Sequence, residues 1–194
     1  DTYFSPEQID AGRFDNEPYR AYNAIPNALT SNLNSTSFKF YSESGRVMVQ
    51  ASPPLPGITL INRLQPLIGA CGDWRSRLQY EVQQQGAQAK VAFSGGFPVS
   101  CEEKYLDLSL FGHASYTYQL FREIWQQLGG TLANGFRQDV LPPQAVRLSV
   151  HHSQPLADVI RRVNKYSNNL MTRQLLLTIA AERTGQPGTE TSGA

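Results

Sequence analysis

The segment 169–182, NLMTRQLLLTIAAE, constrains the fold more than any other part of this sequence. Its length and composition predict a helix whose apolar residues point in nearly every direction: Leu170, Met171, Leu175, Leu176, Leu177, Ile179 and Ala180. A helix that is apolar on all sides belongs in the middle of a domain. Only one other helical pattern accompanies it at this end of the chain, so the surface that should cover it is hard to find in the sequence.

That other pattern precedes it and is amphipathic. Ser153 is the expected N-cap and Pro155 suits a first helical turn. We expect Asp158 and Arg162 to pair across one turn on the solvent side. The apolar residues recur at the i, i+3, i+4, i+7 spacing of one helix face: Leu156, Val159, Ile160 and Val163.

The chain before residue 112 has the patterns of antiparallel strands. SFKFY (37–41) and RVMVQA (46–51) alternate apolar and polar residues around a Glu-Ser-Gly turn, which predicts a hairpin. We expect mostly irregular backbone over 1–35. Further strands are predicted at 28–33, in ITLINRL, in AKVAF and over 104–111.

After residue 112 the apolar period changes to that of a helix, and strands are then expected again. Phe121, Ile124, Trp125 and Leu128 share one helix face, which Gly129-Gly130 should end. TLANGFRQDV and VRLSV are the last two strand candidates.

These patterns predict an α+β fold of antiparallel sheet followed by helices. The proline-rich stretch 52–57 and the GGFP stretch 95–98 are candidate boundaries. We therefore expect a small inserted β module at 52–98 within a larger β-rich domain with one helix, formed by 1–51 plus 99–147.

Composition and charge exclude several classes of function. The 194 residues are 40% apolar and 17% charged with a net charge of +1, so a real core is possible and a nucleic-acid or anionic-membrane partner is not indicated. The most apolar run, 170–181, is too short and too polar to span a bilayer. The chain opens at Asp1 without a leader-like stretch, which predicts a processed protein or an excised piece.

Cys71 and Cys101 are the only cysteines. A disulfide between them would add about 3–4 kcal/mol in the loop-entropy model and would need an oxidising compartment. Two free, buried thiols are the alternative that the sequence leaves open.

Ser167-Asn168-Asn169 is the only S-x-N tripeptide, and it lies between the amphipathic and the apolar helical patterns. One interpretation is that Ser167 is simply a helix N-cap. The other interpretation is catalytic. A hydroxyl at this position can relay a proton beside a lysine, and an amide side chain two residues on can accept a hydrogen bond from that lysine and donate one to a substrate carbonyl. S-x-x-K, S-D-N and K-T-G together mark β-lactamases and penicillin-binding proteins.

The two companion motifs are missing from the sequence. No serine stands three residues before a lysine, and Arg183-Thr184-Gly185 follows a helix where K-T-G needs a strand. The histidines at 113, 151 and 152 make a poor metal constellation, and no phosphate-binding loop is present.

The C-terminal pattern resembles the low-molecular-mass class C penicillin-binding proteins, the D-alanyl-D-alanine carboxypeptidase/endopeptidases. Proteins of this family share an S-x-P-L motif, a helix, an N-K-x-S-x-N motif and then a buried helix. The residues that match this pattern here are Ser153, Pro155, Leu156, Asn164, Lys165, Ser167, Asn169, Leu170 and Met171. PYRAYNAIPNAL (18–29) and QPGT (186–189) also fit. The resemblance implies accessory domains inserted in a penicillin-binding/β-lactamase-like domain, of which 148–194 would carry the S-x-N helices.

The resemblance also implies what the residues do. Ser167 would shuttle a proton to the leaving amine, and Asn169 would position the motif lysine and the substrate peptide group. The complete enzyme would bind peptidoglycan stem peptides and β-lactams in the periplasm, where a Cys71–Cys101 disulfide forms, and it would need no metal or organic cofactor. This excerpt would be inactive alone, because the nucleophile lies upstream, and its bare core surface favours self-association.

The rival function from another class is a non-catalytic envelope binding or scaffolding domain with a helical tail. A stand-alone hydrolase using Ser167 with His151 or His152 is disfavoured, because no acidic partner is apparent for either histidine.

Overall fold

The computed structural model describes residues 3–5, 11–133 and 135–194. They form two compact units. We call Ala11–Ala24 with Leu29–Thr131 the sheet unit. We call the described residues of 3–5, 25–28 and 132–194 the helical unit.

The first sheet of the sheet unit is antiparallel, in the order β2-β1-β7. Phe38 and Phe40 point inward from the central strand and are fully buried, as their alternation with polar residues predicts. The predicted hairpin is confirmed, with Ser44 and Gly45 in left-handed conformation at its turn. The strands are β1 (Thr36–Glu43), β2 (Arg46–Ser52) and β7 (Lys104–Leu108).

The second sheet is built around one long strand, and it contains parallel pairs that the sequence did not predict. β3 and β4 run parallel to β6 on one side, and β5 runs antiparallel to it on the other. The strands are β3 (Ile58–Asn62), β4 (Gln65–Leu67), β5 (Leu78–Gln85) and β6 (Gln88–Pro98).

One hydrophobic cluster joins both sheets. The ring of Phe93 from β6 lies 5.1 Å from that of Phe38 and 5.0 Å from that of Phe40, both in edge-on geometry. A disulfide links Cys71 and Cys101 at the margin of this cluster. Strands followed by helices confirm the α+β class.

Helix α1 (His113–Gln127) covers the core with a different face from the one its apolar spacing predicts. Its buried residues are Tyr116 and Gln119, and the Gln119 side-chain oxygen accepts a 2.8 Å hydrogen bond from the Gly57 amide. The expected apolar face is largely exposed, with Phe121 at 51% and Leu128 at 78%.

The helical unit contains the two helices predicted near the end of the chain and a short third one. Leu170, Leu177 and Ala180 are among its most deeply buried residues. Phe4 forms a parallel bridge with Gly188, which holds the described N-terminal residues beside the end of α3. The helices are α2 (Leu156–Tyr166), α3 (Asn169–Thr184) and α4 (Glu190–Gly193).

Three strand predictions are wrong. At 28–33 the chain makes bends and a 3-10 turn, Asn32–Asn34, whose three residues are left-handed. Asparagine, which stands at two of the three positions, tolerates that conformation. The Asn34 side-chain amide donates a hydrogen bond to the Phe111 carbonyl at 2.8 Å. The described residues of 131–140 and of 146–150 form no strand and pair with none of the strands that the structure describes.

The start of α2 also differs from expectation. Pro155, not Ser153, occupies the N-cap position, and no side chain caps the helix. Asp158 pairs with Arg161 at 2.5 Å, one position before the expected Arg162.

Candidate active-site junction

Helix α2 ends in a Schellman motif centred on Ser167. The Asn168 amide donates to the Val163 carbonyl at 3.1 Å, and the Ser167 amide donates to the Asn164 carbonyl at 3.4 Å. Ser167 itself is left-handed, with φ 49° and ψ 48°. Glycine is the usual residue at this position because a Cβ is strained there. A serine at this position therefore carries a conformational cost.

The next residue begins α3. The Asn168 side-chain oxygen accepts from the Met171 amide at 2.9 Å, and its carbonyl accepts from the Thr172 amide at 3.0 Å. Asn168 is thus the N-cap, and the interpretation of Ser167 as the cap is wrong. Two residues, Ser167 and Asn168, separate the two helices, and the backbone amide and carbonyl of Asn168 are both hydrogen-bonded.

The two candidate catalytic side chains are open to solvent. Ser167 and Asn169 are both exposed, as is Lys165. Within the described part of the chain, no hydrogen bond involves the Ser167 hydroxyl or the Asn169 side chain. The Lys165 ammonium lies 5.6 Å from the ring centroid of Tyr166, its neighbour. A hydroxyl and a carboxamide are therefore presented, without competing partners among these residues, from a rigid corner.

The K-T-G look-alike is a helix end, as the sequence analysis expects. Thr184 is the last residue of α3, and its hydroxyl donates to the Ala180 carbonyl at 2.8 Å. Gly185 follows as a left-handed C-cap with φ 64°. This tripeptide cannot act as a strand motif in that conformation.

The residues that the structure describes contain no group of three or more His, Cys, Asp or Glu side chains arranged to hold a metal ion. His151 and His152 are exposed in a stretch without regular structure. No described helix combines the length and the apolar character needed to cross a membrane.

The sheet unit contains a polar cavity that the sequence analysis missed. Its volume is about 530 Å³, and its lining includes Glu17, Arg75 and Tyr80. Burial and a short hydrogen bond to the Glu17 carboxylate raise the pKa of the Tyr80 hydroxyl well above its usual value. Burial and the nearby Arg20 guanidinium lower the pKa of Arg75. No motif spacing joins these residues, so only the fold could bring them together.

Comparison with known proteins defines the class of protein first. The family model of the D-Ala-D-Ala carboxypeptidase 3 (S13) family matches residues 1–194, so the chain belongs to that family. The resemblance to class C penicillin-binding proteins is thereby confirmed. No curated protein matches the chain.

Two solved structures have the same fold as this chain. The crystal structure of penicillin binding protein 4 (dacB) from Haemophilus influenzae is 18% identical, with a TM-score of 0.63 over 99% of this chain and 42% of that one. The same Haemophilus influenzae protein complexed with a novel beta-lactam (CMV) is 15% identical, with a TM-score of 0.51 over 87% of this chain and 40% of the other. The chain therefore spans less than half the length of the protein it matches.

Proposed function

We propose that this chain is part of a serine-type D-Ala-D-Ala carboxypeptidase/endopeptidase that acts on peptidoglycan stem peptides in the periplasm. In this proposal, 1–51 plus 99–147 form an accessory domain, 52–98 an inserted module, and 148–194 part of the transpeptidase-like domain. The Cys71–Cys101 disulfide supports an oxidising compartment. The excerpt alone is inactive, since the S-x-x-K and K-T-G motifs lie elsewhere in the complete enzyme.

The reaction is an acyl transfer in two steps. A serine outside these residues attacks the carbonyl of the D-Ala-D-Ala bond, forms an ester and expels D-Ala as the amine. Ser167 passes a proton to that leaving nitrogen, and water then hydrolyses the ester. Asn169 accepts a hydrogen bond from the motif lysine and donates one to the substrate carbonyl. A β-lactam acylates the same serine, and no metal or organic cofactor takes part.

The exposed Ser167–Asn169 pair at the α2–α3 corner carries this proposal. In a purely structural corner, the hydroxyl and the carboxamide would be expected to bond to local backbone, as Asn168 does. Here both side chains face solvent, and a serine occupies a position that favours glycine. Strained residues that persist in this way are concentrated at functional sites.

Fluorescent penicillin labelling of the whole protein tests the function. We expect covalent labelling of the whole protein, none of the isolated 194-residue chain, and slower labelling of whole-protein Ser167→Ala and Asn169→Ala. Arg162→Ala, an exposed change on α2, is the matched control and should label normally.

Two results would contradict the proposal. Labelling of the isolated chain would mean that the nucleophile lies within it. A whole protein that takes no label would favour the non-catalytic envelope scaffold instead.

A further inference from the structure

Residues 146–150 of the helical unit, VRLSV, are an unusual segment. Val146 is 81% exposed, Leu148 96% and Val150 54%. Soluble proteins expose single apolar side chains commonly, but a contiguous set marks an interaction surface. Its polar residues Arg147 and Ser149 are exposed as well, so neither side of the segment is covered.

The sequence of this segment is that of a half-buried strand. Apolar and polar residues alternate strictly from 146 to 150, the period at which side chains fall on opposite faces. Prolines lie at 142, 143 and 155, outside the segment, so every amide within it can donate. Among the described residues, none of its backbone groups has a hydrogen-bond partner.

We propose that residues 146–150 pair as a β-strand with polypeptide of the same protein that lies outside these 194 residues. Strand addition satisfies the row of free backbone groups, and the apolar face then packs on the core that those residues bring. The amount of chain outside supports this occupant, because the matched structure has more than half its length beyond the region shared with this chain.

The neighbouring helix agrees with this assignment. Five residues separate the segment from α2, which begins with Leu156 at 61% exposure, and Ile160 one turn on is 39% exposed. The N-terminal part of the apolar face of α2 is therefore also exposed, immediately after the unpaired segment, whereas Val163 near the end of the helix is buried. We expect the same polypeptide to cover the segment and this part of α2.

Amide hydrogen exchange tests the strand, with the whole protein compared against the isolated chain. We expect exchange at 146–150 to be slower in the whole protein by on the order of 100-fold, as for paired strand amides. Leu148→Asp in the whole protein should abolish most of that protection, because the carboxylate enters the apolar face. Ser149→Asp is the matched control on the opposite face and should keep the protection.

The outcomes separate this proposal from the enzymatic one. Equal exchange in both proteins would overturn the strand even if the whole protein takes penicillin label. Slow exchange in an unlabelled whole protein would support the strand and reject the enzyme. Protection that appears in the isolated chain and rises with its concentration would mean that a second copy is the partner, which also overturns the proposal.

Discussion

Replacing Ser167 by glycine is expected to stabilise the α2–α3 corner. Ser167 has φ 49° and ψ 48°, where a residue with a Cβ is strained by roughly 1–2 kcal/mol. Glycine removes that strain but loses more backbone entropy on folding, roughly 0.5–1 kcal/mol. The two terms leave a net gain of about 1 kcal/mol for glycine over alanine.

Alanine is the matched comparison because both changes delete the hydroxyl. The two variants then differ only in the Cβ, so the loss of any hydrogen bond or catalytic role cancels between them. Exchange of the Asn168 amide, which donates to the Val163 carbonyl, reports directly on opening of the corner. A difference of about 1 kcal/mol corresponds to roughly fivefold slower exchange in Ser167→Gly than in Ser167→Ala.

One result of this comparison would contradict the strain argument. If the Asn168 amide exchanges as slowly in the alanine variant as in the glycine variant, Ser167 is not left-handed in solution and the strain argument fails. Both variants of the whole protein should lose the proposed proton relay equally, so activity would not distinguish them while stability would.

Three further changes test the fold around the site. Asn168→Ala should cost about 1 kcal/mol by removing the α3 cap, whereas Asn168→Asp should cost far less, as urea unfolding followed by circular dichroism would show. Gly188→Ala should destabilise the helical unit by roughly 1–3 kcal/mol, because its Cβ would lie 2.0 Å from the Leu177 carbonyl oxygen; an unchanged melting temperature would contradict this contact. Reducing the Cys71–Cys101 disulfide should lower the stability of the sheet unit by about 3 kcal/mol, measured by denaturation with and without reductant, and no change would show that the thiols are unpaired in solution.

Local patterns predicted the elements that find their partners nearby. The β1–β2 hairpin needs only its own alternation and its turn, so its position follows from the sequence. Helix α3 was predicted at 169–182 and ends two residues later, because a long helix is set by its own composition. The parallel pairing of β3 with β6 depends on residues far apart in sequence, and no local signal shows it.

The same reasoning explains what was predicted of the site and what was missed. Ser167 and Asn169 share one tripeptide at a helix junction, so their proximity is local and visible in the sequence. Which of the three residues caps α3 depends on backbone angles, and the cap proved to be Asn168. The cavity around Arg75 and Tyr80 joins distant segments and could not be found without the fold.

The positions that were predicted to be buried but are exposed also carry structural information. The α1 pattern predicts that Phe121 and Leu128 are covered, yet both are exposed, while the strand pattern at 146–150 lacks a partner among the described residues. Apolar residues in a pattern that favours burial are not expected where their side chains stay permanently exposed to solvent. Such positions therefore indicate where covering polypeptide is to be expected. Tyr166, beside the Ser167 corner, is 71% exposed in the same way, so by the same argument we expect residues outside this chain to cover that corner.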